Sequence, residues 1–177
     1  MKKCWHIALM LLCVLFVSSC GGDDDDEIID DVWKVENEAA FAETGKSPGY
    51  FKLLSEANNG FVYYKPIKNG DGKQVYYNSK LKVYYKGSLI DGTVFDHKEF
   101  DDGIPFSCTP SPTVASEDSK YSSVISGWTV ALQHMVEGDK WEVWIPQGLG
   151  YGSTAYGSIP AYSTLIFEIE VVEVVEQ

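Results

Sequence analysis

Cys108, His97 and His134 are the side chains most suited to covalent or metal chemistry in the body of this 177-residue chain. None sits in a pattern that would use it. A cysteine nucleophile needs a histidine placed beside it, and no motif joins Cys108 to either one, so Cys108 is expected to be a small buried residue. Two histidines far apart, with no cysteine pair, make no metal site. Gly45-Lys46-Ser47 lacks the upstream glycine and leading strand of a phosphate loop, and Gly148-Leu149-Gly150-Tyr151-Gly152 lacks the helix of a dinucleotide loop. No nucleophile-elbow serine is present. The consecutive acids Asp23 to Asp26 lack the spaced ligands and turn glycine of a calcium loop. What remains is aromatic. Trp128 is a large flat ring that could floor a cavity. Tyr151, on a Gly-rich loop, is hard to explain as core. From spacing alone, Tyr85, Phe95 and Trp128 read as core residues.

The elements that must position these rings follow from periodicity. In Val124 to Met135, the residues Trp128, Ala131, Leu132 and Met135 fall at i, i+3, i+4 and i+7, one face of a helix of about three turns. Glu137-Gly138-Asp139 should end it. Around it the pattern has period two. Leu81, Val83 and Tyr85 should face the core, as should Trp141, Val143 and Ile145, and then Leu165, Phe167, Ile169 and Val171. Phe61 to Lys65 is a strand that should lie at an edge or stop at Pro66. Val94-Phe95-Asp96 and Pro105-Phe106 are further extended pieces, and Thr109 to Ser123 reads as a loop. Many strands and one short helix predict an α+β fold, a sheet wrapped around that helix. Upstream, Asp30 or Asp31 should cap a helix reaching about Glu43, with a thin apolar stripe of Val32, Val35, Ala39 and Ala42. That helix either packs on the domain or joins two copies.

The front of the chain is of a different kind. Lys2 and Lys3 precede an apolar run from Ile7 to Val17, too short to span a bilayer comfortably. Val17-Ser18-Ser19-Cys20 follows, and resembles a bacterial lipoprotein signal; ordinary secretory cleavage near Ser19 is the competing reading. The resemblance implies lipidation of Cys20, with the lipid as membrane anchor. Gly21 to Glu27 then reads as a solvated acidic tether, similar to the surface-export signal of some Gram-negative lipoproteins. The expected organisation is a signal at 1–19, a tether at 20–30, a helical extension at 31–58 and one domain at 59–177. The formal net charge of −12 argues against nucleic acid as a partner.

Four motifs, in order from about Phe61 to Val174, resemble the FKBP-type peptidyl-prolyl isomerases: Val83 to Asp96, Val124-Ile125-Ser126-Gly127-Trp128, Gly150-Tyr151-Gly152 with Ile159-Pro160, and Ser163 to Glu168. The resemblance implies an antiparallel, half-wrapped sheet around one short helix. It implies a proline pocket floored by Trp128 and walled by Tyr85, Phe95, Phe106, Val124, Ile125, Ile159 and Phe167. Asp96 and Tyr151 match the family's polar pair, so Tyr85, Asp96 and Tyr151 are the candidate catalytic residues. The Ile125 amide matches the backbone donor to a substrate carbonyl. The basic residue often found after the Phe-Asp pair is missing, replaced by Glu99-Phe100-Asp101-Asp102. Tyr156 stands roughly where minimal members have a histidine.

The implied activity is peptidyl-prolyl cis-trans isomerisation, assisting the folding of exported or envelope proteins, with no cofactor. The implied partners are proline-containing polypeptides and FK506-like macrolides, and the implied location is the bacterial envelope, at the outer membrane. Two alternatives stand beside it: a non-catalytic chaperone or peptide-binding module on the same fold, and a surface adhesin using its tyrosines. Glu99, Asp101 and Asp102 are expected to border the pocket and to disfavour an acidic residue before proline.

Overall fold

The computed structural model describes residues 24–99 and 103–176, with side chains from residue 31. The signal, Cys20, Asp101 and Asp102 lie outside the described residues.

Among the described residues eight strands form one sheet, β1 (Phe51–Leu54), β2 (Phe61–Lys68), β3 (Lys80–Ser88), β4 (Val94–Lys98), β5 (Phe106–Thr109), β6 (Ser122–Ser123), β7 (Lys140–Ile145) and β8 (Leu165–Glu176). Their order is β1-β2-β7-β8-β3-β5-β6, with β4 also paired to β3. All pairs are antiparallel except the short β5–β6 pair. The helix α3 (Ser126–Leu132) packs against β1, β2 and β7. Alternation sets the burial. On β7, Trp141, Val143 and Ile145 are buried while Lys140, Glu142 and Trp144 are half-buried on the other face. On β8, Leu165, Phe167, Ile169 and Val171 are buried in the same rhythm. Leu81 and Val83 join them from β3, and Cys108 is buried as expected. Burial also pushes its thiol pKa up, against thiolate chemistry.

Several expectations are corrected. α3 stops at Leu132, about two turns long, and Met135 reaches the core from the following turn. Gly138, with φ 94°, serves the entry to β7 and not the helix end. β2 is an edge at Pro66, the first of its two expected alternatives, and runs on to Lys68. β1 covers only Phe61 to Tyr64, so one flank of β2 is open where the proline lacks its donor, and the register slips between Pro66 and Lys68. The stretch 109–123 is not all loop. Ser111 accepts from the Val114 N–H and Pro112 opens a short helix, α2 (Pro112–Glu117). Lastly, α1 (Asp24–Thr44) begins inside the acid run, and β1 lies within the segment read as a helical extension.

The face that α1 buries is not the apolar stripe either. Val32 is 53% and Val35 64% exposed, and Ala39 and Ala42 are exposed too. The packed face holds Trp33, Asn37, Ala40, Phe41 and Thr44, with Asn37 fully buried. Phe41 meets Phe61 and Tyr63 of β2 with ring centroids 5.4 and 4.9 Å away. Among the described residues no helix is long and apolar enough to cross a membrane.

Candidate functional site

The centre of the site is a well of rings set by the sheet and by the first turn of α3. Ile125 is extended (φ −63°, ψ 155°), and its carbonyl accepts from the Trp128 and Thr129 N–H groups, so the chain turns into the helix with Trp128 pointing into the core. Trp128 is 4% exposed. Two rings meet it edge-on: Tyr85 of β3 at 5.3 Å and 82°, and Phe167 of β8 at 5.2 Å and 86°. Phe106 of β5 then meets Tyr85 at 5.6 Å, and Phe95 of β4 meets Phe167 at 5.5 Å and 84°. Edge-to-face contacts of this kind favour one relative orientation of the rings. The indole N–H of Trp128 is buried and has no hydrogen-bond partner among the described residues.

Sequence reasoning named these rings but missed the residue that lets them meet. Gly87 of β3 pairs with Phe167 on one side and Asp96 on the other. A Cβ at Gly87 would come within 2.6 Å of the Phe95 ring and 2.7 Å of the Phe167 ring. Only glycine leaves that space. The signal was visible as the glycine inside an otherwise regular strand.

A cavity of about 130 Å³ opens above Trp128, lined by Tyr85, Asp96, Phe106, Ser123, Val124, Ile125, Trp128, Tyr151 and Phe167. A second hollow of about 210 Å³ shares Asp96, Tyr151 and Phe167 with it and adds Phe95, Tyr156 and Ile159. All ten residues expected to bind or act on substrate therefore lie in two adjoining spaces, with Phe95 and Ile159 in the second. Cys20 lies outside the described residues. Among the described residues no group of three or more His, Cys, Asp or Glu side chains could hold a metal.

Polar groups gather at the rim. The Tyr85 O–H donates to Asp96 Oδ2 at 2.7 Å. Asp96 thus has a phenol partner although the basic residue expected after the Phe-Asp pair is missing. Burial, then the Asp96 carboxylate, pushes the Tyr85 pKa well up. Burial, then Tyr156 and Asp96, raises that of Tyr151. Both phenols therefore stay protonated donors in neutral solution. Tyr151 stacks on Tyr156 with centroids 4.4 Å apart and planes 5° from parallel.

A larger hollow of about 300 Å³ shares Tyr85 with the ring cavity and is otherwise lined by Tyr84, Lys86, Lys98, Glu99, Lys140, Glu168 and Glu170. It is a charged surface, and Lys140 is already paired with Glu168 at 3.0 Å. Glu99 lines this hollow and not the ring cavity, so it does not border the pocket as expected.

Residues 72–172 match the family model of FKBP-type peptidyl-prolyl cis-trans isomerases. The macrophage infectivity potentiator of Trypanosoma cruzi is 35% identical over 170 residues, covering 94% of this chain and 78% of that protein. The outer membrane protein MIP of Legionella longbeachae is 39% identical over 144 residues; the match covers 78% of this chain and 54% of that protein, so the chain spans about half its length. The crystal structure of FkpA from Escherichia coli superposes with a TM-score of 0.68 at 27% identity, over 86% of this chain and 63% of that one. The strand order, the ring well under α3 and these matches lead to one conclusion: the chain belongs to the family of FKBP-type peptidyl-prolyl cis-trans isomerases.

Proposed function

We propose that the chain takes X–Pro segments of exported or envelope polypeptides into the cavity above Trp128 and accelerates rotation about the prolyl bond. The observation that carries this reading is the cavity itself: an apolar, ring-lined space of about 130 Å³ with a few polar groups at its edge. Rotation about a prolyl amide faces a barrier of roughly 20 kcal/mol, which is the cost of losing amide resonance. The twisted amide has a less polar carbonyl than the planar one, and water bonded to the planar carbonyl favours the ground state. A dry pocket that fits the twisted form lowers the barrier without a nucleophile. Each tenfold of rate requires only about 1.4 kcal/mol of such preference.

In this reading Trp128 is the floor, and Phe95, Phe106, Val124, Ile159 and Phe167 are the walls. The Tyr151 O–H and the Ile125 N–H orient the substrate carbonyls. Tyr85 holds Asp96, which acts electrostatically on the twisting amide, not as a proton acceptor. FK506-like macrolides would compete for the same space. The signal-like segment ending at Cys20, together with the outer membrane protein MIP among the relatives, supports lipid anchoring at Cys20 in a bacterial envelope, at the outer membrane.

The test is cis-to-trans conversion of a short X–Pro peptide by the purified chain, with Phe95→Ala beside it. Acceleration that falls sharply in the variant is expected. Aggregation suppressed equally by the parent and Phe95→Ala, with no acceleration by either, would instead make it a non-catalytic chaperone.

A further inference from the structure

We infer that α1 is a brace for the loop that carries Tyr151, Tyr156 and Ile159, and that Trp33 and Asn37 are positioning residues for the prolyl site. The inference rests on the activity proposed above.

The loop leaves β7 after Ile145 and returns at Leu165. Its tip is exposed from Ser153 to Ser158. Within it, Tyr162 N–H donates to the Gly152 carbonyl at 2.8 Å, which fixes the corner next to Tyr151. Tyr162 has φ 62°, a conformation that a non-glycine residue keeps only when its surroundings impose it.

Those surroundings include α1. At the return end of the loop, Thr164 N–H donates to Asn37 Oδ1 at 2.7 Å, and the Thr164 hydroxyl donates to the Asn37 carbonyl at 3.1 Å. Asn37 is itself oriented by its Nδ2, which donates to the Trp33 carbonyl at 2.8 Å. The Trp33 indole N–H donates to Ser163 Oγ at 3.0 Å, and that hydroxyl donates to the Pro160 carbonyl at 2.7 Å, one residue from Ile159. The Lys34 ammonium lies 4.9 Å from the centre of the Tyr162 ring. At the other end, Gln147 Nε2 donates to Glu38 at 3.3 Å, and the Gln147 carbonyl accepts from the Gly152 N–H. One helix thus grips both feet of the loop. Asn37 is fully buried, a costly place for an amide unless its bonds are needed there.

Tyr151 reaches the cavity from this loop, not from a strand. A small misplacement of an orienting group can cost a large factor in rate, so loosening α1 should be read out at the prolyl site with the ring well itself unchanged.

The test uses the full chain. Asn37→Ala removes the side-chain bonds to Thr164 N–H and to the Trp33 carbonyl; Asn37→Asp keeps the acceptor facing Thr164 N–H but loses the donor to Trp33; Trp33→Phe keeps the ring but loses its donor to Ser163. Isomerase kcat/KM is measured with amide hydrogen exchange resolved along the chain. The expected result is a loss of about tenfold in kcat/KM for Asn37→Ala, a smaller loss for Trp33→Phe, and no recovery in Asn37→Asp, whose carboxylate cannot donate to the Trp33 carbonyl. Exchange should quicken between residues 147 and 164 and stay unchanged in β3 and β8. Activity within about twofold of the parent in Asn37→Ala, or exchange that quickens equally throughout the sheet, would overturn the brace. Exchange is read without turnover. An inactive parent would therefore remove the proposed activity, while an unaltered loop in Asn37→Ala would remove this inference.

Discussion

The two sides of the cavity are held by different means. On one side Tyr85, Phe167 and Trp128 stand on β3, β8 and α3, edge-to-face and at least partly buried, with the β3–β8 ladder running beneath them. On the other, Tyr151 and Tyr156 stack on a loop whose tip is exposed, and the loop is tied to α1 by hydrogen bonds at its feet. The ring well is fixed by close packing, so disturbing it costs stability and activity together. The loop side is tied at its feet by polar contacts and exposed at its tip, so disturbing the tip should cost activity with little stability.

The largest effect is expected at the floor. Trp128→Ala should cost about 3–5 kcal/mol in urea unfolding, the usual range for emptying a large aromatic from a core, and should abolish measurable isomerisation. A variant of near-parental stability would show that the well is not packed as described. Gly87→Ala comes next, since its new methyl must displace Phe95 or Phe167. Overpacking of that kind costs about 1–3 kcal/mol, and kcat/KM should fall with it; an unchanged melting curve would count against the close approach.

Tyr85→Phe tests the hinge between the two sides. It keeps the ring and removes the bond to Asp96. A double-mutant cycle with Asp96→Ala should return a coupling of about 0.5–1.5 kcal/mol, and zero coupling would mean the pair is not formed in solution. Tyr156→Ala should be milder. Unstacking Tyr151 forfeits about 0.5–1.5 kcal/mol of ring contact at most, less at this exposed position. Stability should barely move while KM rises. The smallest effect is in pH. Tyr85 and Tyr151 are both held above the ordinary phenol range, so kcat/KM should be flat from about pH 7 to about pH 9. Tyr50, half-buried against Glu142 and pushed up to about 12, adds a stability term of definite sign. Its neutral form is favoured on folding, so the contribution is complete below the unfolded value near about 10 and is lost as pH rises from there toward 12. A stability that kept rising with pH in that window would contradict this.

The same division separates what the sequence could and could not convey. Period-two runs such as Leu165 to Val171 carry their burial in their own pattern, so the sheet was readable, whereas spacing made Tyr85, Phe95 and Trp128 plain core and only the family resemblance made them a pocket. Tyr151 and its loop were readable as a motif but not as a mechanism of support. The brace was hidden because its key contact is polar. Asn37 is buried for the sake of Thr164, 127 residues away, and apolar periodicity pointed instead to Val32, Val35, Ala39 and Ala42, which face outward. β1 was obscure because four residues of strand owe their conformation to a partner, β2. α2 was obscured by the Ser, Pro and Thr content of its surroundings, although Ser111-Pro112 is a cap and first-turn pair.

The most direct measurement is protease-coupled or fluorescence-detected cis-to-trans conversion of a Leu–Pro peptide by the purified chain, with Trp128→Ala and Tyr156→Ala in parallel. The prediction is clear acceleration by the parent, none by Trp128→Ala and a partial loss in Tyr156→Ala. A parent no faster than buffer, or a Trp128→Ala chain as fast as the parent, would contradict a prolyl site built on the ring well.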